Sequence, residues 1–280
     1  MKIIFSRKGF DSTAGGAPSP IINGAPYSLP IPTNESPYNP RFKDINGLHC
    51  KMVRQITKNK ISENAFCHLD PDIDHASRPR LQGWKGAFGQ TGIAAGHLDK
   101  NGVTKGDIFL FFGLFQALQT NPTIQFTGRR AHVIFGWMQI GEILELGEDG
   151  RWVLKQHPWL KDHPHVSPGW NRPNRLYIAN EKLNLPGMKT QIAGYGRFST
   201  GHILTNEKLN QPLTSIWNVP AWLNPVLGGT GMTYHPKIER WSENGTVRST
   251  GRGQEFVADI GQRDDALTWL ANLFKEHANG

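Results

Sequence analysis

Two apolar runs in the middle of the chain decide its fold: KGDIFLFFGLF at residues 105–115 and HVIFGWMQIGEILEL at residues 132–146. Both are rich in β-branched and aromatic residues, and both are too short and too often interrupted by glycine to be helices. We therefore predict two strands. The first run has no alternation of polar and apolar residues, which indicates a strand buried on both faces, in the middle of a sheet or barrel wall.

Outward from these strands, short apolar runs and turn residues mark the other elements. The apolar pattern of the second strand changes phase around Gly141, which predicts a β-bulge there. Residues 119–130, between the two strands, are expected to form a polar loop. A helix capped by Asp264 or Asp265 is expected near the end of the sequence. Further strands are predicted at residues 2–7, 174–179, 194–199 and 255–260.

These elements predict an α+β fold. We expect a mixed or mostly antiparallel sheet that curls into a PUA-like barrel core around residues 100–200, with long loops and a C-terminal helix. No polar, linker-like run divides the sequence, so residues 1–280 are predicted to form a single domain.

The composition favours a polyanionic partner. The chain has 280 residues and a formal charge of +8, and nucleic acid is the commonest soluble polyanion. The same excess of cations also occurs in soluble proteins that never contact nucleic acid. Two cysteines are too few for a disulfide framework or a zinc–thiolate cluster. With no signal-peptide pattern and no apolar run of about 18 residues, we expect a cytoplasmic protein without membrane contact.

The first predicted strand runs into a loop suited to an anion. Glycines, prolines and hydroxyls fill residues 9–20, so that backbone N–H groups can converge on a phosphate. An ordinary surface turn is the alternative. A segment that mixes cations, aromatic residues and glycines follows at residues 78–92, a composition that suits a nucleic-acid backbone and its bases. The predicted nucleotide-binding residues are Arg7, Lys8, Ser12, Gly15, Gly16, Ser19, Gln90 and Arg197.

Acidic residues alternate after His68, in the pattern Asp70-x-Asp72-x-Asp74. An EF-hand is excluded, because the sixth position is a histidine instead of glycine and the twelfth is a leucine instead of glutamate. A divalent site built from His68, Asp70 and Asp74 stays open, but turn-capping carboxylates are the preferred interpretation. We predict neither a metal ion nor a cofactor.

A second histidine-rich segment, QHPWLKDHPH at residues 156–165, matches no strong zinc pattern. We interpret it as a rigid loop that holds imidazoles at the edge of a pocket. The sequence also lacks the common hydrolase, zinc-protease and thiol-redox motifs.

Several short motifs resemble a known family. They are FSRKGFDS at residues 5–12, GG at 15–16, PSPI at 18–21, CHLD at 67–70, GDIFLFF at 106–112 and HVIFG at 132–136. In these motifs the chain resembles the bacterial family called nucleotide modification associated domain 3. The resemblance implies a role around modified nucleotides in DNA or RNA base modification or defence, and it supplies no catalytic residues. Residues 105–146 alone also resemble, more weakly, the middle of PUA and EVE barrels.

Two functions of different classes remain. The first is a protein that binds nucleic acid or a nucleotide, through a modified base. The alternative is an enzyme that acts on a nucleotide or base, with Asp11 or Asp70 as general base and His68 or His165 as its partner. The catalytic candidates are thus Asp11, His68 and Asp70. Convergence of these side chains in one pocket would favour the enzyme, whereas scatter would favour the binding protein. A scaffold without a pocket is a third option, and no protein partner is predicted.

Overall fold

The computed structural model describes residues 1–11, 13–46, 50–188, 190–209 and 213–278. Three α-helices occur within these ranges: α1 (Cys50–Ile56), α2 (Gly92–Lys100) and α3 (Asp264–His277). The strands are β1 (Lys2–Arg7), β2 (Ser19–Ile22), β3 (Ala25–Pro26), β4 (Ile31–Pro32), β5 (Cys67–His68), β6 (Ala87–Thr91), β7 (Ile108–Gln119), β8 (Gln125–Glu145), β9 (Asn174–Ala179), β10 (Tyr195–Ile203), β11 (Ile216–Asn218), β12 (Trp241–Ser242), β13 (Thr246–Arg248) and β14 (Glu255–Asp259).

One large mixed sheet organises the fold. In the part of the chain that the structure describes, it has nine strands, six of them in the order β14-β1-β7-β8-β9-β6, with β10 paired to β8 and the β2–β3 hairpin paired to β7. Strand β7 is parallel to β1 and to β2, and the other pairs are antiparallel. This confirms the α+β class and the mixed sheet. The sheet does not close, so the predicted PUA-like barrel is not confirmed.

Strand β7 is the central buried strand that its sequence predicts. Ile108, Leu110 and Phe112 belong to the apolar cluster on one face of the sheet, which α3 covers. Phe109 and Phe111 belong to the cluster on the other face. Successive side chains of a strand point to opposite faces, so an uninterrupted apolar run fills both layers of the core at once.

Strand β8 is long enough to pair with three other strands. Its register with β9 shifts between Ile140 and Glu142, which confirms the bulge predicted at Gly141. The polar loop predicted at residues 119–130 is longer than the loop in the structure. Strand β7 continues to Gln119 and β8 already begins at Gln125, because backbone pairing there persists through polar residues at the exposed end of the hairpin.

Helix α3 packs Ala266, Leu270, Leu273 and Phe274 into the core, while Leu267 is only partly buried against it. The N-cap is Arg263, so Asp264 and Asp265 do not cap the helix but occupy its first turn, where negative charge also stabilises a helix. Among the described residues, no helix has the length and apolar character needed to cross a membrane.

Candidate functional site

A cavity of about 620 Å³ opens at the C-terminal end of β1. Strand β1 and the following loop form one wall, the β5 and β6 strands a second, and residues 249–254 before β14 a third. Six of the predicted site residues line this cavity: Arg7, Lys8, Asp11, His68, Asp70 and Gln90. His165, which the sequence suggested as a catalytic partner, lines it too.

Asp70 is the centre of a group of imidazoles. Its Oδ2 lies 3.7 Å from His68 Nε2 and 3.6 Å from His165 Nε2. The ligand atoms of these three residues lie within 4.8 Å of one another, the arrangement of a metal-binding group. We call His68, Asp70 and His165 the His–Asp cluster. His163 adds a fourth side chain, with its Nε2 3.6 Å from Asp70 Oδ1.

Three separate elements bring the cluster together. His68 lies on β5, which pairs with Ile31 of the extended N-terminal arm. Asp70 follows two residues later, and its Oδ1 accepts the N–H of Gly89 on β6 at 2.9 Å. His165 lies in a short 3₁₀-helix, Pro164–Val166. The proline at its first position favours this turn because its fixed φ suits a helix start.

The His165 ring is fixed on two sides. Its Nδ1 lies 2.9 Å from Asn174 Oδ1, and Asn174 is fully buried at the start of β9. Trp170 stacks on the ring, with centroids 4.2 Å apart and planes 6° from parallel. The indole N–H is satisfied by Pro164 O and Ser167 Oγ, so Trp170 is itself held in place.

The cluster should be electrostatically asymmetric at neutral pH. Burial lowers the pKa of His165 to about 3, so this imidazole is neutral. Burial by itself raises the pKa of Asp70, but the contacts with His163 and His68 outweigh it and leave this pKa below its ordinary value. The site therefore offers a buried carboxylate next to the neutral imidazole of His165.

Lys8 lines the cavity but forms an ion pair with a buried glutamate, Glu255. Its Nζ lies 2.9 Å from Glu255 Oε1, and the same oxygen accepts Gln90 Nε2 at 2.6 Å and Ser6 Oγ at 3.1 Å. Glu255 is only 1% exposed. Nothing in the sequence marks this glutamate, because its significance depends on a contact with a residue at the other end of the chain.

Arg7 joins the cavity wall to the segment before β14. Its guanidinium donates to Thr250 O at 2.6 Å and Gly251 O at 3.0 Å. It also lies 5.7 Å from the centroid of Phe112 and 5.5 Å from that of Phe256. These contacts make Arg7 a structural residue of the wall, whose charge still faces the cavity.

The glycine-rich loop satisfies its own backbone. Asp11 Oδ1 accepts the N–H groups of Thr13 and Ala14, and the Gly16 N–H donates to Asp11 O. Both Gly15 and Gly16 have positive φ, and a Cβ at Gly15 would also overlap the Phe10 ring. Thus the glycines are needed for the turn itself.

Four predicted nucleotide-binding residues do not line the cavity. Gly15 and Gly16 belong to the turn, and Ser19 is buried, where its Oγ accepts the Leu29 N–H. Arg197 lines a smaller, neighbouring cavity of about 60 Å³ that shares Asp70 with the large one, and its Nε lies 2.9 Å from Asp74 Oδ2. Ser12 lies outside the described residues.

Asp74, the third ligand of the divalent site that the sequence left open, is not part of the cluster. Besides Arg197 it binds the Ala76 N–H, as the N-cap of a 3₁₀-turn. Asp72 pairs with Arg80. Asp74 is therefore a capping carboxylate, in agreement with the preferred interpretation. The third member of the cluster is His165 instead of Asp74.

His132, in the cavity wall, should make stability depend on pH. Burial, followed by the charge of Arg7, lowers the pKa of His132 to about 4, and Trp217 donates to its Nδ1 at 2.9 Å. The unfolded chain, with a histidine pKa of about 6.5, binds a proton in this range that the folded chain does not. We expect stability to fall by at most about 3 kcal/mol between pH 6.5 and pH 4 from this residue.

Urea unfolding of the wild type and of His132→Asn at pH 7 and pH 4.5 measures this contribution. The variant should lose less stability on acidification than the wild type does. Equal losses would exclude His132 as the source, since other buried histidines titrate in both proteins.

Comparison with known proteins gives one match. The model of the family described as nucleotide modification associated domain 3 matches residues 2–259, which include every residue of the His–Asp cluster and of the cavity wall described above. No curated protein and no solved structure matches the chain.

Proposed function

Because the chain belongs to the nucleotide modification associated domain 3 family, we propose that it is an enzyme that acts on a nucleotide or on its base in the cavity, at the His–Asp cluster. The observation that carries this proposal is the convergence of His68, Asp70 and His165 at the cavity wall. A buried carboxylate surrounded by imidazoles has the side chains that general acid–base catalysis uses. Such groups with displaced pKa values concentrate at reactive sites.

The size and lining of the cavity support a ligand of nucleotide size. Pockets for small molecules typically measure about 300–1,000 Å³ and combine apolar walls with a few polar groups. Here the volume is about 620 Å³. Apolar surface comes from Ile31, Pro32 and Leu114, and hydroxyls come from Thr214, Ser215 and Ser249.

Ser249 supports recognition of a polar base edge. Its Oγ is buried and has no hydrogen-bond partner among the described residues. A buried hydroxyl without a partner costs free energy, which a ligand that hydrogen-bonds to it would recover. A base supplies N–H and C=O groups for this purpose.

Lys8 and Arg7, the cations of the cavity wall, can attract a phosphate by their charge, but each already donates hydrogen bonds within the protein. Lys8 is paired with Glu255, and Arg7 donates to two backbone carbonyls. We therefore assign the specificity of the site to the base and the sugar of the ligand, and not to its phosphate. This replaces the glycine-rich phosphate loop as our preferred mode of binding.

The test separates binding from reaction. The protein is incubated with nucleosides, nucleotides and short DNA and RNA, modified and unmodified, at two salt concentrations. Binding is followed by ligand-observed NMR and products by mass spectrometry. We expect His68→Gln to abolish product formation while affinity changes less than about tenfold, since a glutamine retains a polar side chain at the cavity wall.

The matched control is His75→Gln, because His75 is exposed and does not line the cavity. It should leave both binding and product formation unchanged. If the wild type binds a ligand but forms no product, the alternative function, a protein that binds nucleotides without reacting with them, is supported. The absence of binding to any ligand at low salt would refute both functions.

A further inference from the structure

The distances within the His–Asp cluster are not those of hydrogen bonds. Hydrogen bonds between nitrogen and oxygen measure about 2.7–3.2 Å, whereas His68, His163 and His165 each stand 3.6–3.7 Å from a carboxylate oxygen of Asp70. Two ligand atoms bound to one tetrahedral Zn²⁺ at about 2.0–2.2 Å stand about 3.3–3.6 Å apart. The distances from Asp70 Oδ2 to His68 Nε2 and His165 Nε2 are thus close to the spacing of ligands that share an ion, and all three ligand atoms lie within 4.8 Å of one another.

His165 presents an unprotonated nitrogen to the cluster. The Asn174 amide nitrogen donates to Gly147 O and His165 O, which leaves its Oδ1 to face His165 Nδ1. An oxygen acceptor requires a proton on Nδ1, so the lone pair of the neutral ring is on Nε2. A carbonyl partner of this kind also orients the histidine ligands of metal sites.

His163 has the opposite tautomer and does not serve as a ligand. Its Nδ1 accepts the backbone N–H of His165 at 3.3 Å, so a neutral ring has its proton on Nε2. This buried Nε2 has no hydrogen-bond partner among the described residues. Its proton faces Asp70 Oδ1, which also accepts the Gly89 N–H. Oδ1 is therefore the supported oxygen, and Oδ2 is the one available to an ion.

We propose that His68 Nε2, Asp70 Oδ2 and His165 Nε2 bind one divalent transition-metal ion. Two imidazoles and a carboxylate are a ligand set of catalytic Zn²⁺, which keeps one further position for water or substrate. Since all three residues line the cavity, that position faces the cavity. Metal binding stands independently of the proposed function, and only the use of the open position by a nucleotide rests on it.

The experiment measures the ion itself. The full-length protein is treated with a chelator, dialysed and titrated with Zn²⁺ by calorimetry, and with Co²⁺ by visible absorption. We expect one equivalent of Zn²⁺, the intense absorption of a tetrahedral Co²⁺ site, and a higher melting temperature with Zn²⁺ because the ion binds the folded state. Non-haem Fe²⁺ also uses this ligand set, so Fe²⁺ is titrated under anaerobic conditions, and stoichiometric binding of either ion supports the proposal.

Two ligand variants and one control test the assignment. His68→Gln and His165→Gln should each lower Zn²⁺ affinity at least about 100-fold, beyond the 10–100-fold typical of supporting residues. His75→Gln, which changes an exposed histidine, should bind as the wild type does. Circular dichroism verifies that the variants are folded, and the Zn²⁺-dependent melting of the wild type gives a readout that needs no variant.

The proposal is overturned if the folded wild type binds no stoichiometric ion, or if both ligand variants bind as tightly as the control. Metal-free protein that still binds a nucleotide would separate the two conclusions, since nucleotide binding would stand without the ion. Stoichiometric Zn²⁺ with no nucleotide binding would refute the proposed function and leave the metal site intact.

Discussion

Replacing Glu255 with leucine is expected to lower the free energy of unfolding by about 3–5 kcal/mol, the usual cost of leaving the partner of a buried ion pair alone. Lys8 and Glu255 are 9% and 1% exposed at their side chains. Lys8 Nζ also lies 4.3 Å from the centroid of the Phe88 ring. Urea denaturation measures the loss.

A double-mutant cycle shows whether the ion pair is the cause. Lys8→Met combined with Glu255→Leu should recover much of the stability, because no buried charge is then left unpaired. The matched control is Asp259→Asn on the same strand. Asp259 pairs with Lys2 at 3.7 Å and is 64% exposed, so the change should stay within about 0.5 kcal/mol. Additive losses in the double variant would contradict the assignment.

Changing Gly89 to alanine is expected to disrupt the His–Asp cluster. A Cβ at this position would overlap the His165 ring, while the Gly89 N–H holds Asp70 Oδ1 at 2.9 Å. The backbone of β6 and the ring cannot both keep their places. We expect Zn²⁺ affinity to fall about 10–100-fold and the free energy of unfolding to fall by about 1–3 kcal/mol from overpacking.

Gly96 in helix α2 supplies the control for the same chemical change. A Cβ there meets no atom within 4 Å, so Gly96→Ala should keep the metal affinity and stabilise the helix by about 0.5–1 kcal/mol. Zinc calorimetry and urea denaturation of both variants give the comparison. Unchanged Zn²⁺ affinity in Gly89→Ala would show that His165 is not a ligand.

Strands with strong local patterns could be predicted from the sequence. The bounds of β1 and β9 match the predicted residues 2–7 and 174–179, and the bulge at Gly141 was visible as a change of apolar phase. These features depend on neighbours along the chain. Closure into a barrel depends instead on a tilt and register shared by all strands, which no local pattern reveals. The prediction of a barrel is not confirmed.

The hairpin formed by β7 and β8 shows a different limit of prediction from sequence. Polar residues such as Thr127 were assigned to a loop, yet Thr127 pairs with Ala117 in the sheet. Strand pairing satisfies backbone groups whatever the side chains are, so polar residues at an exposed sheet end carry no signal that separates strand from loop.

Part of the candidate site could be predicted from the sequence. His68 and Asp70 stand close in sequence, and their alternation with other carboxylates drew attention to them. Asn174 and Gly89 left no local signal, because their roles depend on contacts with His165 and Asp70 from other elements. His165, in the imidazole-rich loop of residues 156–165, lines the cavity as predicted, but its partners Asn174 and Trp170 could not be named from spacing.

The position of β1 between β7 and β14 has a consequence for how the protein is made. A chain emerges from the ribosome with its amino end first. The partner of Lys8 lies 247 positions later, and the carbonyls that bind Arg7 lie nearly as far away. Strand β1 therefore lacks one of its two neighbours until β14 has been synthesised. The part of the cavity wall that joins Arg7 and Lys8 to residues 250–255 can form only after β14 has left the ribosome, and it depends on long-range pairing, which folds slowly.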